Sequence, residues 1–283
     1  VARHDRAEIG WRIGCNSEGE ASKVRGIVSK GVSYWNAKPG QCSTPEEHFS
    51  ILKSAGISVA RVWYLPWKDV EPQEGTFSFD QIDRVIELQR RYNIDVVGIL
   101  GYDFRPDHLP DWLVKKSPPH VKSPDHPQDA LVPPVDLWKR YVEALMRRYK
   151  DDVVAWEVFN EPNGWSTPEE YMGFLKSAYE TAKAVSPDIK VIGVCPTGDA
   201  TVSRVAEWSK DVVALGGKNY LDGFSYHPYG AGNDYQLGEH FAATNLIATL
   251  RGIVNAPRIG LWETECFQLS NDTFQRCDRW DAS

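Results

Sequence analysis

Short apolar stretches alternate with longer stretches of helical periodicity along most of this chain. The short stretches are rich in β-branched and aromatic residues, the composition of buried strands. Between them, apolar residues recur three or four positions apart, as they do on one face of an amphipathic helix. This alternation predicts an α/β fold with a parallel sheet. The predicted strands cover residues 57–65, 94–100, 155–159, 190–195, 221–226 and 258–265.

The first 44 residues offer two candidates for one further strand, because residues 9–15 and residues 26–35 both alternate in polarity. We favour residues 26–35, since they lead directly into the first helix. Thr44 is a good N-cap for that helix, Pro45 suits its first position, and Gly56 is a typical stop. Further helices are predicted at residues 80–88, 135–150, 166–184, 200–215 and 235–254, and residues 67–75 are predicted as a turn-rich loop.

Length and element order together predict one (β/α)8 TIM barrel. The chain has 283 residues, near the ~250 residues typical of this fold. We therefore expect residues 1–283 to form a single domain, with residues 1–44 as an N-terminal extension plus the first strand. An eighth strand is not evident, because only 18 residues follow Glu265. We expect a barrel that is either truncated after the seventh strand or closed in an unusual way.

Composition excludes several classes of protein. The net charge of −7 and the pI of about 5.6 come without a long basic run, which argues against nucleic acid as a partner. No apolar run approaches the length of a transmembrane helix, so we expect no membrane partner. The chain starts at Val1 and shows no signal-peptide pattern, so a secreted and a cytoplasmic location both remain open. The sequence does not indicate an oligomeric state.

Cysteine and histidine spacing gives no sign of a metal site. The five cysteines match no zinc template, Cys195 is expected to be a buried thiol, and Cys266 could pair with Cys277. Three histidines fall in the long, proline-rich loop 102–134, where we expect them to be solvated. We expect this loop to form part of the wall of a substrate cleft. No metal and no cofactor are predicted.

Two carboxylates at strand ends are the candidate chemistry. Asn160 and Glu161 follow the fourth strand and precede Pro162, which ends its ladder. Glu265 ends the seventh strand 104 residues later, a gap that fits three strand–helix–strand units of about 30 residues or more. The carboxyl ends of barrel strands carry the active site. Two carboxylates facing each other there are what glycoside hydrolysis requires.

Several motifs in the same order resemble clan A glycoside hydrolases, which are retaining enzymes on a (β/α)8 barrel. The matching pieces are Val59-Ala-Arg61, Trp67 with Glu71-Pro72-Gln-Glu-Gly75, Asn160-Glu161-Pro162, His227-Pro-Tyr229 and Trp262-Glu-Thr-Glu265. They cover residues 45 to 266 and look most like families 39 and 42, with family 5 as a further relative. The resemblance implies a carbohydrate substrate.

The resemblance also implies roles for individual residues. Glu161 matches the acid/base and Glu265 the nucleophile. The implied substrate-binding residues are Arg61 beneath the nucleophile, Asn160 at the sugar 2-hydroxyl, the sixth-strand pair His227 and Tyr229, and Trp67. Glu263 departs from the family pattern, which is usually apolar there. Strand alternation puts it on the same side as Glu265, so it remains an alternative nucleophile.

Retaining chemistry adds an expectation about protonation, because the acid must be neutral while the nucleophile stays ionised. Arg61 and a Tyr hydroxyl are expected to lower the pKa of Glu265. The pKa of Glu161 is expected to be raised by the apolar neighbours Trp156 and Phe159 and by a facing carboxylate. The leading hypothesis is a retaining β-glycosidase. The alternative is a non-catalytic carbohydrate-binding barrel that keeps the cleft.

Overall fold

The computed structural model describes residues 27–29, 45–54, 56, 58–61, 66–120, 129–197, 202–227 and 239–264. Strands and helices alternate along them. The strands are β1 (Ile27–Ser29), β2 (Val59–Arg61), β3 (Asp95–Leu100), β4 (Val153–Val158), β5 (Val191–Thr197), β6 (Gly223–His227) and β7 (Gly260–Glu263). The helices are α1 (Pro45–Ser54), α2 (Trp67–Val70), α3 (Asp80–Tyr92), α4 (Asp111–Val114), α5 (Val135–Tyr149), α6 (Pro168–Val185), α7 (Val202–Ala214) and α8 (Glu239–Val254).

The seven strands form one parallel sheet in which each strand pairs with the next along the chain. This is the strand order of a (β/α)8 barrel, and the predicted fold class is confirmed. β1 lies inside the favoured segment 26–35 and pairs with β2, so that choice is confirmed as well. The question of an eighth strand falls on residues 265–283, outside the described residues.

Side chains from five strands meet in one small apolar cluster inside the sheet. Its members are Val59, Val97, Ala155, Ile192 and Trp262, from β2, β3, β4, β5 and β7. Since β2 and β7 contribute to the same cluster, the sheet is curled, as a barrel requires. The residues two positions further along these strands point the same way and form the next layer toward the carboxyl ends.

A second, aromatic cluster packs behind the carboxyl ends of β3 and β4. Trp138 of α5 is its centre, with ring centroids 5.0 Å from Phe159 and 5.8 Å from Phe104. The cluster lies so close to the backbone that a Cβ atom on Gly101 would be 2.7 Å from Trp138. Gly101 also has a φ of 76°, a conformation that favours glycine. The strand ends that carry the candidate site therefore pack tightly against this aromatic cluster.

All six predicted helices are present, and α6 begins with a capping box. The Thr167 hydroxyl accepts from the Glu170 backbone N–H, and the Glu170 carboxylate accepts from the Thr167 N–H. The turn-rich loop predicted at residues 67–75 is wrong in part, because Trp67–Val70 forms a helical turn. None of the helices in the described part of the chain is long and apolar enough to cross a membrane.

The expectation of solvated histidines in loop 102–134 is wrong for two of the three. His108 and His120 are 6% and 5% exposed. Each contacts a carboxylate through Nδ1, at 2.5 Å to Asp103 and 2.8 Å to Glu170. A carboxylate partner offsets the cost of burying a polar ring. His126 lies outside the described residues.

Candidate active site

The backbone turns sharply where β4 ends, and this turn presents Glu161. Phe159 and Glu161 both have left-handed φ values, 66° and 50°. Such values are uncommon for residues with a side chain and occur where the surroundings enforce them. Here the Asn160 N–H donates to the Tyr102 carbonyl at 2.6 Å, and the Trp165 indole N–H donates to the Asn160 carbonyl at 3.1 Å. These bonds hold Glu161 in a fixed position at the mouth of the barrel.

Asn163 ties the same turn to the neighbouring strand. Its side-chain oxygen accepts from the Thr197 N–H at 2.9 Å, and its amide group donates to the Thr197 carbonyl at 2.7 Å. Thr197 is the last residue of β5. This two-way bond joins the carboxyl ends of β4 and β5 without using any of the charged groups nearby.

Arg61 and Glu157 form a buried ion pair directly above the apolar cluster. They follow Val59 and Ala155 by two positions and are 2% and 0% exposed. Arg61 Nε lies 2.5 Å from Glu157 Oε2, and Arg61 Nη2 donates to Asn160 Oδ1 at 2.8 Å. Arg61 therefore connects the interior carboxylate to the residue beside Glu161.

Thr264 brings the end of β7 to the same carboxylate. Its hydroxyl donates to Glu157 Oε1 at 2.7 Å, and the residue is 1% exposed. Burial alone would raise the pKa of Glu157. The Arg61 guanidinium and His227, together with hydrogen bonds that include the Thr264 hydroxyl, outweigh burial and hold that pKa below its usual value. Glu157 is therefore an ionised structural carboxylate.

Glu161 is the more accessible carboxylate, with 28% of its side chain exposed. Its Oε1 atom lies 2.8 Å from Nδ1 of His227, which is 0% exposed. On the other side of the imidazole, Nε2 lies 3.1 Å from Cys195 Sγ. A line of three side chains from β5, β6 and the end of β4 thus leads from the barrel interior to its mouth.

The expected rise in the pKa of Glu161 is wrong for this structure. Burial does raise it, but the hydrogen bond and electrostatic attraction of His227, with smaller contributions from Thr197 and Arg61, lower the pKa below its usual value. The apolar neighbours Trp156 and Phe159 are visible in the local sequence. The imidazole is not, because His227 is 66 residues away along the chain.

The structure brings together four of the predicted site residues, namely Arg61, Asn160, Glu161 and His227. His227 contacts Glu161 and is fully buried, so the expected direct contact with sugar does not fit this ring. Glu263 ends β7 and is partly buried. Tyr229 and Glu265 lie outside the described residues, as do Cys266 and Cys277.

Trp67 does not fit the substrate-binding role expected for it. Its side chain is 0% exposed and packs at 4.4 Å, centroid to centroid, on Tyr141. Its indole N–H donates to Glu71 Oε2 at 2.9 Å, and the other oxygen of Glu71 is bonded by Arg140 and the Gly75 N–H. The Trp67–Gly75 motif therefore forms a buried hydrogen-bonded cluster behind β3. Neither face of the Trp67 indole is accessible to a sugar.

Sequence reasoning missed Glu157, Thr264 and the contact of Cys195 with His227. A signal for Glu157 was present, since Arg61 in an apolar strand needed an acid and Glu157 is the charge within β4. Nothing in the sequence signalled which strand would supply a partner to Cys195, although its burial was predicted correctly.

One group among the described residues has the composition of a metal site. A ligand atom each from Glu157, Cys195 and His227 lies within 4.8 Å of the others. These atoms already have partners: Arg61 and Thr264 bond to Glu157, and Cys195 lies against Nε2 of His227. A guanidinium bonded to one of the three would repel a second cation, so we assign no metal to this group.

Comparison with known proteins gives partial matches to glycoside hydrolases. The family profile described as β-galactosidase, of glycoside hydrolase family 42, matches residues 35–129. β-Galactosidase BgaA of Clostridium cellulovorans is 26% identical over 197 residues, which are 62% of this chain and 28% of that protein. β-Galactosidase LacZ of Lactobacillus acidophilus is 28% identical over 50% of this chain and 24% of its own length. The chain thus spans about a quarter of these relatives.

Solved structures show the same fold. The family 39 glycoside hydrolase of Xanthomonas axonopodis pv. citri superposes with a TM-score of 0.56 at 18% identity, over 81% of this chain and 48% of that one. The β-galactosidase of Bacillus circulans sp. alkalophilus superposes with a TM-score of 0.55 at 17% identity, over 76% and 42%. By sequence the chain is similar to β-galactosidases over part of its length, and by fold it resembles solved glycoside hydrolases such as the family 39 enzyme.

Proposed function

We propose that this chain belongs to a retaining β-glycoside hydrolase in which Glu161 is the general acid/base. One observation carries the proposal. Glu161 is a partly exposed carboxylate at the carboxyl end of β4, directly beside a buried network of Arg61, Glu157 and Asn160. An exposed, oriented carboxylate over a rigid polar base is what proton transfer to a leaving oxygen needs.

Asn160 is proposed to hold the sugar 2-hydroxyl. Arg61 donates to its Oδ1 atom, so the amide nitrogen is the end directed away from the guanidinium. A nitrogen held in this way can donate to a hydroxyl group on the sugar. Hydrogen bonds to the 2-hydroxyl that strengthen in the transition state contribute several kcal/mol in enzymes of this class.

Glu265 is proposed as the nucleophile. The residue before it, Thr264, lies against Glu157 and so close to the Arg61 network. In the first step Glu265 attacks the anomeric carbon while Glu161 protonates the departing oxygen, giving a covalent glycosyl-enzyme. In the second step Glu161 accepts a proton from water, whose oxygen attacks the anomeric carbon and breaks its bond to Glu265, so that the sugar leaves with its configuration retained. We expect a carboxyl separation of about 5–5.5 Å, as in retaining enzymes.

A β-linked glycoside is the proposed substrate, with loop 102–134 forming part of the cleft wall. The relatives are named for activity on three different sugars. Besides the β-galactosidases, an exo-β-D-glucosaminidase of Pyrococcus horikoshii and an endo-1,4-β-xylanase of Phanerodontia chrysosporium match this chain. The test panel should therefore include aryl β-galactoside, β-glucosaminide and β-xyloside.

The deciding experiment measures chromophore release from this panel and follows the anomeric configuration of the first product by NMR. We expect turnover of at least one substrate with net retention. A protein that binds the sugars without releasing the aryl group would instead be the non-catalytic carbohydrate-binding barrel. A product of inverted configuration would reject the double-displacement mechanism.

A further inference from the structure

Cys195 lies between the two networks of the site. It is 0% exposed, its Sγ atom lies 3.1 Å from Nε2 of His227, and it lies 4.0 Å from Nη2 of Arg61. We propose that Cys195 is a positioning residue that fixes the tautomer of His227 and thereby decides which oxygen of Glu161 carries the catalytic proton. This inference rests on the proposed acid/base role of Glu161.

The direction of the Cys195–His227 contact follows from the donors around the sulfur. A guanidinium has only donors, so Arg61 faces the lone pairs of Sγ. Burial, reinforced by the negative charge of Glu157, raises the pKa of the Cys195 thiol well above its usual value, so the S–H proton stays in place. That proton is then available to His227 Nε2, which accepts it.

An Nε2 atom that accepts places the imidazole proton on Nδ1. Since Nδ1 lies 2.8 Å from Glu161 Oε1, this tautomer donates to Oε1. When Glu161 is protonated for catalysis, its own proton must then sit on Oε2, the oxygen that His227 does not bind. In the opposite tautomer, Nδ1 would accept, and the carboxyl proton would be held between Oε1 and the ring. Cys195 therefore keeps the catalytic proton free for the leaving group.

The charged and titratable groups near His227 come from three strands. Glu157 and Glu161 come from β4 and its end, Arg61 from β2 and Cys195 from β5. Cys195 offers its S–H hydrogen to Nε2 across 3.1 Å. The choice of tautomer should accordingly respond to its replacement.

The first measurement is the tautomer of His227 in the wild-type protein, by NMR of 15N-histidine. The chain has seven histidines, and the signals missing from a His227→Gln spectrum identify this one. We expect the Nδ1–H form. An Nε2–H form in the wild-type protein would overturn the proposal without any variant of Cys195.

The second measurement compares Cys195→Ala, which removes the donor, with Cys195→Ser, which keeps one. Both variants are made in a Glu161→Gln background, because an ionised Glu161 only accepts and would hold the proton on Nδ1 by itself, whereas the neutral amide can donate or accept. In this background we expect Cys195→Ala to move His227 toward the Nε2–H form and Cys195→Ser to restore the Nδ1–H form. Ser209→Ala is the matched control, because Ser209 is also fully buried but bonds within α7 to the Val205 carbonyl. An unchanged tautomer in Cys195→Ala would overturn the proposal.

Kinetics separates this proposal from the proposed function. We expect Cys195→Ala to lower kcat by about tenfold or more for aryl glycosides with poor leaving groups and to change it little for good ones, with KM nearly constant. Equal effects on both substrate classes would overturn the positioning role. If the tautomer responds as expected but no glycoside is turned over, the effect of Cys195 on His227 is supported and the proposed function is rejected.

Discussion

Nδ1 of His227 lies 2.8 Å from Oε1 of Glu161. This contact joins a ring buried inside the barrel to a carboxylate exposed at its mouth. It is the reason that the pKa of Glu161 lies below its usual value although most of the side chain is buried. In the free protein, the candidate acid is thus biased toward its ionised form, and the pH dependence of activity should reveal this bias.

Removing the His227 ring should shift the pH profile. The imidazole stabilises the charged form of Glu161, so His227→Ala should raise the Glu161 pKa and leave burial to dominate. Because the first chemical step needs protonated Glu161, the alkaline limb of kcat/KM should move to higher pH. His120→Ala is the matched control, since His120 forms a similar 2.8 Å contact with Glu170. An alkaline limb that stays in place in His227→Ala would contradict the assignment.

Replacing the acid should affect substrates according to their leaving group. Glu161→Gln cannot protonate the departing oxygen, so kcat/KM for poor leaving groups should fall about 10²- to 10⁴-fold. Activated aryl glycosides need little proton help and should lose far less. Glu180→Gln, a substitution of a 59% exposed carboxylate on α6, should change neither. A uniform loss across leaving groups would count against Glu161 as the acid.

Two carboxylates near the end of β7 compete for the nucleophile role. Glu265→Ala should abolish turnover of every substrate, because no covalent intermediate can form. Azide should restore part of the activity by entering the vacated space, giving a glycosyl azide that NMR detects. The same treatment of Glu263→Ala should give no azide product. If the rescue occurs in Glu263→Ala instead, the nucleophile lies two residues earlier than proposed.

The Arg61–Glu157 pair should matter strongly for stability. Removing one partner leaves a buried charge uncompensated, so Glu157→Gln and Arg61→Met should each lower the free energy of unfolding by about 3–5 kcal/mol at pH 7. Glu143→Gln, at the exposed pair with Arg147, should cost at most about 1 kcal/mol. Urea denaturation monitored by tryptophan fluorescence measures all three. Losses as small as the surface control would show that the pair is dispensable.

The same pair predicts a pH dependence of stability. The pKa of Glu157 is lower in the folded protein than its ordinary value of 4.5. Its contribution is therefore complete above about pH 4.5 and is lost as pH falls through the folded value. The stability difference between wild type and Glu157→Gln should narrow on acidification in that range. A difference that stays constant with pH would mean that Glu157 titrates alike in both states.

Two glycines with the same φ angle test how closely the aromatic cluster around Trp138 packs against the backbone. Gly75 and Gly101 both have a φ of 76°, but an added Cβ meets nothing within 4 Å at Gly75 and lies 2.7 Å from Trp138 at Gly101. Gly75→Ala should cost about 1–2 kcal/mol for the backbone alone. Gly101→Ala should cost about 1–3 kcal/mol more, because the indole must move. Thermal unfolding of both variants measures the difference, and equal losses would contradict the close packing.

The sequence by itself determined the elements and their order. Polarity patterns decide which segments bury a face, and that information is local, so six strands and the six longer helices could be read directly. The sequence also placed Asn160, Glu161 and His227 at strand ends. A barrel brings the carboxyl ends of its strands together, so these residues could be predicted to share one site. The buried state of Cys195 was also local information, since it lies in an apolar run.

Only the tertiary structure decided which of these side chains touch. Glu157 is 96 residues from Arg61 and 107 from Thr264, and a hydrogen bond depends on curl, register and rotamer together. Trp67 was misread for the same reason: an aromatic residue after a strand looks alike whether it faces a cleft or the back of β3. The pKa of Glu161 is lowered instead of raised, as had been predicted, because His227 on another strand contacts its carboxylate. Electrostatics at the site is thus a property of neighbours in space, which local patterns do not encode.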